Sequence, residues 1–473
     1  MPNRNLVLRS AGYCLSAAFL LTAAASSSAW ADPRDPVNPF TKRFLSGKPL
    51  DICDQGALFV GGVPKIPDFG EPRQLIIGHS YVQFQIPTKR RQWPIIMIHG
   101  GGYTGSALDA TPDGREGWLA YSVRNNLATF VMDQPGRGRS GFDSSVINKA
   151  RLTGDLSLLP PLGEPTSAIW TSWFGHIIPG GSNIVTGTMI RHGDPGDPDP
   201  AETDPPGPGH GVYPPKYPIP PVDNSIDANI EARLGAIGPA PNPANNTYLA
   251  LNTFKFTVPS MEVTLPGSVC DSCTPSALAP SNTWSPLAMA ELVERLGGAI
   301  LAPHSQSAPQ VLHAVRILRE RGNLHLVKGI IIPEGGTDFV ATGTTPQDYD
   351  TIPFLIVNGD YRLDTFRPGN RAFIAALNAS PTRSVGPATY IDLDDPALGG
   401  KFLGTTHMNM LGTNNLELFD LFLDWAEDNI DNPIVQSSCP SGPPSHAGPP
   451  QGVPPGPPNG VPPGPPAGKG KNS

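Results

Sequence analysis

Apolar residues recur along this chain in two alternating rhythms. Short runs rich in Ile, Leu, Val and Met predict strands at 74–77, 82–86, 94–98, 128–132, 298–302, 329–332, 354–357 and 388–391. Residues 117–125, 286–296, 309–321, 367–377 and 414–429 carry the three-to-four-residue spacing of helices. The first two strands read as an antiparallel hairpin turning near Gly78 and His79. The later runs are continuously apolar, as strands buried on both faces are. Ser285 and Pro286 suit an N-cap and first helical position. In the last helix Leu416, Phe419 and Leu423 form one stripe, with Leu418, Phe422 and Trp425 beside it. About eight strands interleaved with helices predict a single α/β domain built on a mostly parallel sheet.

The pattern fails in three places. Residues 1–31 read as a secretory signal, with Arg4 and Arg9 ahead of an apolar run at 11–25 and the small-residue site Ala29-Trp30-Ala31. Cleavage after Ala31 would place the chain in a secreted or periplasmic setting. From Pro440 to Ser473 the chain is mostly Pro and Gly with some Ser, with an eight-residue repeat beginning at Gly452 and again at Gly460. Such a tail buries too little surface to offset its ordering entropy and is expected to be disordered. The folded domain therefore spans 32–439. Within it lies an insert at about 144–284, Pro/Gly-rich near 193–222, of the kind that serves as a lid or cap.

Four of the five cysteines, Cys53, Cys270, Cys273 and Cys439, follow the signal. An even count in an exported chain favours disulfides, and Cys270–Cys273 with Cys53–Cys439 is one of three pairings that four cysteines allow. No second Cys-x-x-Cys or His pair accompanies Cys270, so no metal site is expected. The formal charge of −8 on 473 residues argues against nucleic-acid binding by a basic surface. No stretch after Ala31 is long and apolar enough to span a membrane.

Chemistry enters at the strand ends. His99-Gly100-Gly101-Gly102-Tyr103 follows a buried strand, and glycines there let backbone N–H groups face a ligand. Such donors stabilise the oxyanion of an acyl-transfer intermediate. Downstream, His304-Ser305-Gln306-Ser307 falls between a strand and a helix with Val311, Leu312, Val315 and Leu318 on its inner face. A serine on that turn is a nucleophile elbow, and the Gln306 N–H at the helix start is an oxyanion donor. Ser307 is the local rival nucleophile. A serine needs a base and an orienting acid, in the chain order Ser, acid, His. His407 lies in a loop before the final helix and is the candidate base. Glu334 and Asp360 each follow a strand, and their spacing does not separate them as the acid. Tyr103, Trp170, Trp173 and Phe174 are candidates for an apolar substrate pocket, although aromatics at such spacing more often belong to a core.

The motifs His99-Gly-Gly-Gly102, Asp133-Gln-Pro-Gly-Arg-Gly-Arg-Ser140, His304-Ser305-Gln306 and His407-Met-Asn-Met resemble the α/β-hydrolase superfamily, and within it a bacterial secreted esterase branch. The resemblance covers about residues 94–425, leaving the insert unmatched. It implies the α/β-hydrolase fold, Glu334 as the acid after strand six with Asp360 as the alternative, and oxyanion donors at Gly101 and Gln306. Pro303 and Ser307 stand where the usual elbow has glycines. The 133–140 run is expected to shape a loop rather than to catalyse.

The expected activity is ester hydrolysis through an acyl-enzyme, on a small-molecule or lipid-like ester, with no metal or organic cofactor. The rivals are an amidase or peptidase, a lactonase, and, from another class, a catalytically silent surface-binding protein working through its tail. The oligomeric state is not legible in the sequence.

Overall fold

The computed structural model describes residues 49–67, 69–111, 114–155, 176–180, 183–190, 256–258, 284–359 and 366–439. An eight-stranded sheet organises them: β1 (Ile52–Lys65), β2 (Leu75–Pro87), β3 (Ile95–Ile98), β4 (Thr129–Met132), β5 (Ala299–Pro303), β6 (Val327–Pro333), β7 (Phe354–Asn358) and β8 (Thr389–Asp392). Their order across the sheet is β1-β2-β4-β3-β5-β6-β7-β8. β1 pairs antiparallel with β2 and β2 with β4, and every other neighbour is parallel.

The helices are α1 (Trp118–Arg124), α2 (Ser145–Thr153), α3 (Trp284–Leu296), α4 (Ser307–Glu320), α5 (Arg367–Asn378) and α6 (Asn415–Asn429). Alternate residues of each central strand feed two cores, because successive side chains leave opposite faces of a sheet. Ile96, Ile98, Leu301, Ile330, Ile332 and Ile356 pack with α3, α4 and α5. Ile95, Met97, Ile300, Ile331, Leu355 and Val357 pack with α1 and α6. Both faces being covered explains why these runs are apolar throughout. In α6 the buried face is Leu418, Phe419, Phe422 and Trp425, while Leu416 and Leu423 are half-buried.

Two expectations are corrected. Residues 74–77 and 82–86 are not a hairpin but parts of one strand, β2, whose antiparallel partner is the unforeseen β1. Gly78 does not turn the chain. It sits at φ 72°, and the Trp284 ring lies 2.2 Å from where a Cβ would stand, so glycine is required there by close approach and backbone conformation together. Helix α3 starts at Trp284, which puts Ser285 inside its first turn rather than at its cap.

Of the insert, His176–Gly180 and Asn183–Ile190 form an antiparallel pair that the sequence pattern did not reveal. Residues 256–258 return to the glycine loop, where Thr257 bridges Tyr103 and the Val258 N–H donates to the Gly102 carbonyl at 2.8 Å. A Cys53–Cys439 disulfide joins the two ends of the described chain, helped by antiparallel pairing of Ile434–Gln436 with Arg90–Arg91. Cys270 and Cys273 lie outside the described residues, as do the candidate signal and tail. Among the described residues no helix is long and apolar enough to cross a membrane.

Candidate active site

The strand register sets the site. Ile98 of β3 stands beside Pro303 of β5, and Pro333 of β6 beside Val357 of β7. The residues that leave these strands therefore emerge side by side at the carboxyl edge of the sheet, where open α/β folds bind ligands.

Ser305 turns the chain from β5 into α4 with φ 54°. Among the described residues only Asn126, Ser305 and Glu334 combine a side chain with positive φ, and two of the three lie here. Backbone held in this region costs of the order of 1 kcal/mol or more, and the surrounding structure must hold it there. The elbow is fastened by the His304 N–H to the Ile98 carbonyl at 2.9 Å and the Ser305 N–H to the Pro333 carbonyl at 3.4 Å. Ser305 and Gln306 remain partly exposed. Ser307 turns inward, fully buried, with its hydroxyl donating to the carbonyls of Ile98 and His304 at 3.1 and 2.9 Å. It is a fastening of the elbow, not a group facing solvent.

His407, carried by the loop ahead of α6, places Nε2 2.9 Å from Ser305 Oγ. Its Nδ1 lies 3.0 Å from Glu334 Oε2. An ionised carboxylate accepts only, so the bond to Glu334 puts the proton on Nδ1 and turns the Nε2 lone pair toward the serine hydroxyl. Glu334 and His407 are both fully buried. Burial of a carboxylate is tolerable where its oxygens are bonded. Here Oε2 has the imidazole, and Oε1 accepts the Gly359 N–H. His304 sits directly beside His407, its Nε2 2.8 Å from the His407 carbonyl.

The two expected oxyanion residues are neighbours. A Cβ on Gly101 would lie 3.0 Å from Gln306 Oε1, which in turn accepts from Arg137 Nη2 at 3.1 Å. The 133–140 run braces this loop. The Asp133 carboxylate accepts from the Gly105 N–H at 2.7 Å and from the Arg139 N–H and Nε at 3.0 and 2.8 Å. Burial, the largest single influence, pushes the Asp133 pKa up, but these bonds and the neighbouring Arg139 and His99 charges together hold it below the ordinary Asp range. Tyr103 is 1% exposed and packs in the core with Met408, Met410 and Trp118. Trp170, Trp173, Phe174 and the alternative acid Asp360 lie outside the described residues. Among those described, no group of His, Cys, Asp or Glu is clustered to hold a metal ion.

The sequence places Arg137 only within the loop-shaping 133–140 run and does not single out Arg367. Arg367 is buried behind Glu334 and bonds the Gly359 carbonyl. Its only sequence signal is a pair of carboxylates, Asp392 and Asp394, at the end of an apolar strand.

A mostly parallel eight-stranded sheet between two helical layers, with a serine elbow after its fifth strand, defines the α/β-hydrolase fold. One solved structure, described as a novel bacterial esterase, is 27% identical with a TM-score of 0.58, over 81% of this chain and 98% of its own. A curated protein described as a probable secreted lipase, phiG, of Fungal sp. (strain ATCC 74256) is 41% identical over 61 residues. That match spans 13% of this chain and only 17% of the lipase. No known family profile matches the chain.

Proposed function

We propose that this chain is an exported serine hydrolase of carboxylic esters that works through an acyl-enzyme on Ser305. The reading is carried by one observation, the buried relay from Glu334 through His407 to a serine at φ 54°. In this reaction His407 Nε2 takes the Ser305 proton as Oγ attacks the ester carbonyl. The Gly101 and Gln306 N–H groups receive the developing oxyanion. His407, then an imidazolium stabilised by Glu334, returns the proton to the leaving alkoxide, and water repeats the cycle on the acyl-enzyme. The likeness to a bacterial esterase over nearly its whole length supports an ester, small or lipid-like, as substrate. The Cys53–Cys439 disulfide and the leader-like first 31 residues support export.

The test is p-nitrophenyl ester hydrolysis across acyl lengths from acetate to palmitate. Ser305→Ala and Glu334→Gln are expected to lower kcat on the order of 10⁴-fold with the fold retained, while Asp360→Asn stays near wild type. Full activity in Ser305→Ala would end this reading. Loss in Asp360→Asn with none in Glu334→Gln would move the acid one strand along.

A further inference from the structure

Behind Glu334, on the side away from His407, lies a buried chain of charged and polar groups. The Gly359 N–H donates to Glu334 Oε1, and the Gly359 carbonyl accepts from Arg367 Nη2. Arg367, in the first turn of α5, is 3% exposed. Its Nη1 reaches Asp392 Oδ1 at 2.9 Å and Asp394 Oδ1 at 3.2 Å, and its Nη2 reaches Asp394 Oδ2 at 3.1 Å. Asp392 is held in turn by Arg371 and by the Tyr390 hydroxyl. One turn of α5 also ties the loop that carries Glu334, because Asn370 Nδ2 donates to the Gly335 carbonyl at 2.8 Å and to Asn358 Oδ1 at 3.2 Å.

A buried ion cluster is a weak device for stability, since apolar residues of similar volume often serve as well or better. What apolar residues cannot do is grip a backbone carbonyl from a fixed direction. We propose that Arg367 is a positioning residue for the triad acid: anchored by Asp392 and Asp394, it pins Gly359 so that its N–H holds Glu334 in line with His407. The proposal rests on the triad reading above. Glu334 is fully buried, so a slack Gly359 weakens the hold on Oε1 and lets the carboxylate turn from the imidazole. Misplacement of about 1 Å at such a distance from the chemistry costs on the order of 10²-fold in rate.

The experiment measures kcat and KM on p-nitrophenyl butyrate for the full chain and for Arg367→Gln, Glu334→Gln and the double variant, with melting curves for each. Arg367→Gln is expected to lower kcat about 10- to 100-fold with KM within about twofold, and to cost nothing further in the Glu334→Gln background. An equal loss in both backgrounds, or no loss in the first, overturns the proposal. If Arg367→Gln does not fold, Asp394→Asn carries the same cycle. It loosens the guanidinium while leaving its bond to Gly359, and a smaller kcat loss confined to the Glu334 background is expected. Equal losses again overturn the proposal. Unimpaired Glu334→Gln would instead show that the triad reading itself has failed.

Discussion

Gly100 has no room for a side chain, because a Cβ there would lie 2.7 Å from His304 Nδ1 and 2.9 Å from Ser305 Cβ. The glycine loop and the serine elbow are therefore packed backbone against side chain. In Gly100→Ala one of the two must shift, at a cost of about 1–3 kcal/mol. We expect kcat to fall at least about tenfold on activated esters while the protein still folds, since sub-ångström misplacement is felt more by chemistry than by the core. A wild-type kcat in Gly100→Ala would mean that the elbow does not need this contact. At this scale much of the candidate site is legible in the sequence. Ser305, Gly101 and Gln306 stand at the ends of strands that apolar periodicity reveals, and His407 stands in the loop ahead of the final helix. The acid is not separable by spacing, because Glu334 and Asp360 each follow an apolar run that reads as a strand. The φ of 58° at Glu334, its bond to His407 and its bond from Gly359 are products of tertiary structure that spacing does not carry.

At the scale of the element, α4 does two things. Its start sets Gln306 beside Gly101, and its inner face fills the core with Val311, Leu312, Val315 and Leu318. It also buries His313, whose pKa is pushed down to about 4, chiefly by desolvation and next by the Arg316 charge. The unfolded chain takes up this proton near 6.5 and the folded chain near 4. Between these values the unfolded state binds more protons, so stability is full above pH 6.5 and declines as pH falls toward 4. The loss is on the order of 2–3 kcal/mol. Urea midpoints of wild type and His313→Gln over this range check it: the variant should lose part of the acid slope, and identical slopes would contradict the assignment. The central strands and all five helices read from periodicity were recovered within a residue or two, because two-sided burial leaves an unbroken apolar signal. β1 was missed for the opposite reason. It is an edge strand in which only Val60 is buried and Gly56, Gly61 and Gly62 break the alternation.

At the scale of the whole molecule, the ends of the described chain are closed on each other by Cys53–Cys439, a link between residues 386 apart in sequence. The pairing was one of three that the cysteine count allowed, and only the fold, bringing β1 beside the chain end, selects it. Residues 256–258 of the insert meet the carboxyl edge of the sheet where the Val258 N–H donates to the Gly102 carbonyl, so a segment poorly legible in the sequence is tied to the loop expected to receive the oxyanion. The insert's composition gave no periodicity from which its antiparallel pair at 176–190 could have been read.

The measurement that bears most directly on the account is covalent capture of the nucleophile. The folded full-length chain would be treated with a serine-directed fluorophosphonate, digested and mapped by mass spectrometry. The account predicts one adduct, on Ser305, with loss of ester hydrolysis in proportion to labelling and no adduct in Ser305→Ala. Labelling of another residue in step with inactivation, or ester hydrolysis undiminished by a fully labelled Ser305, would contradict it.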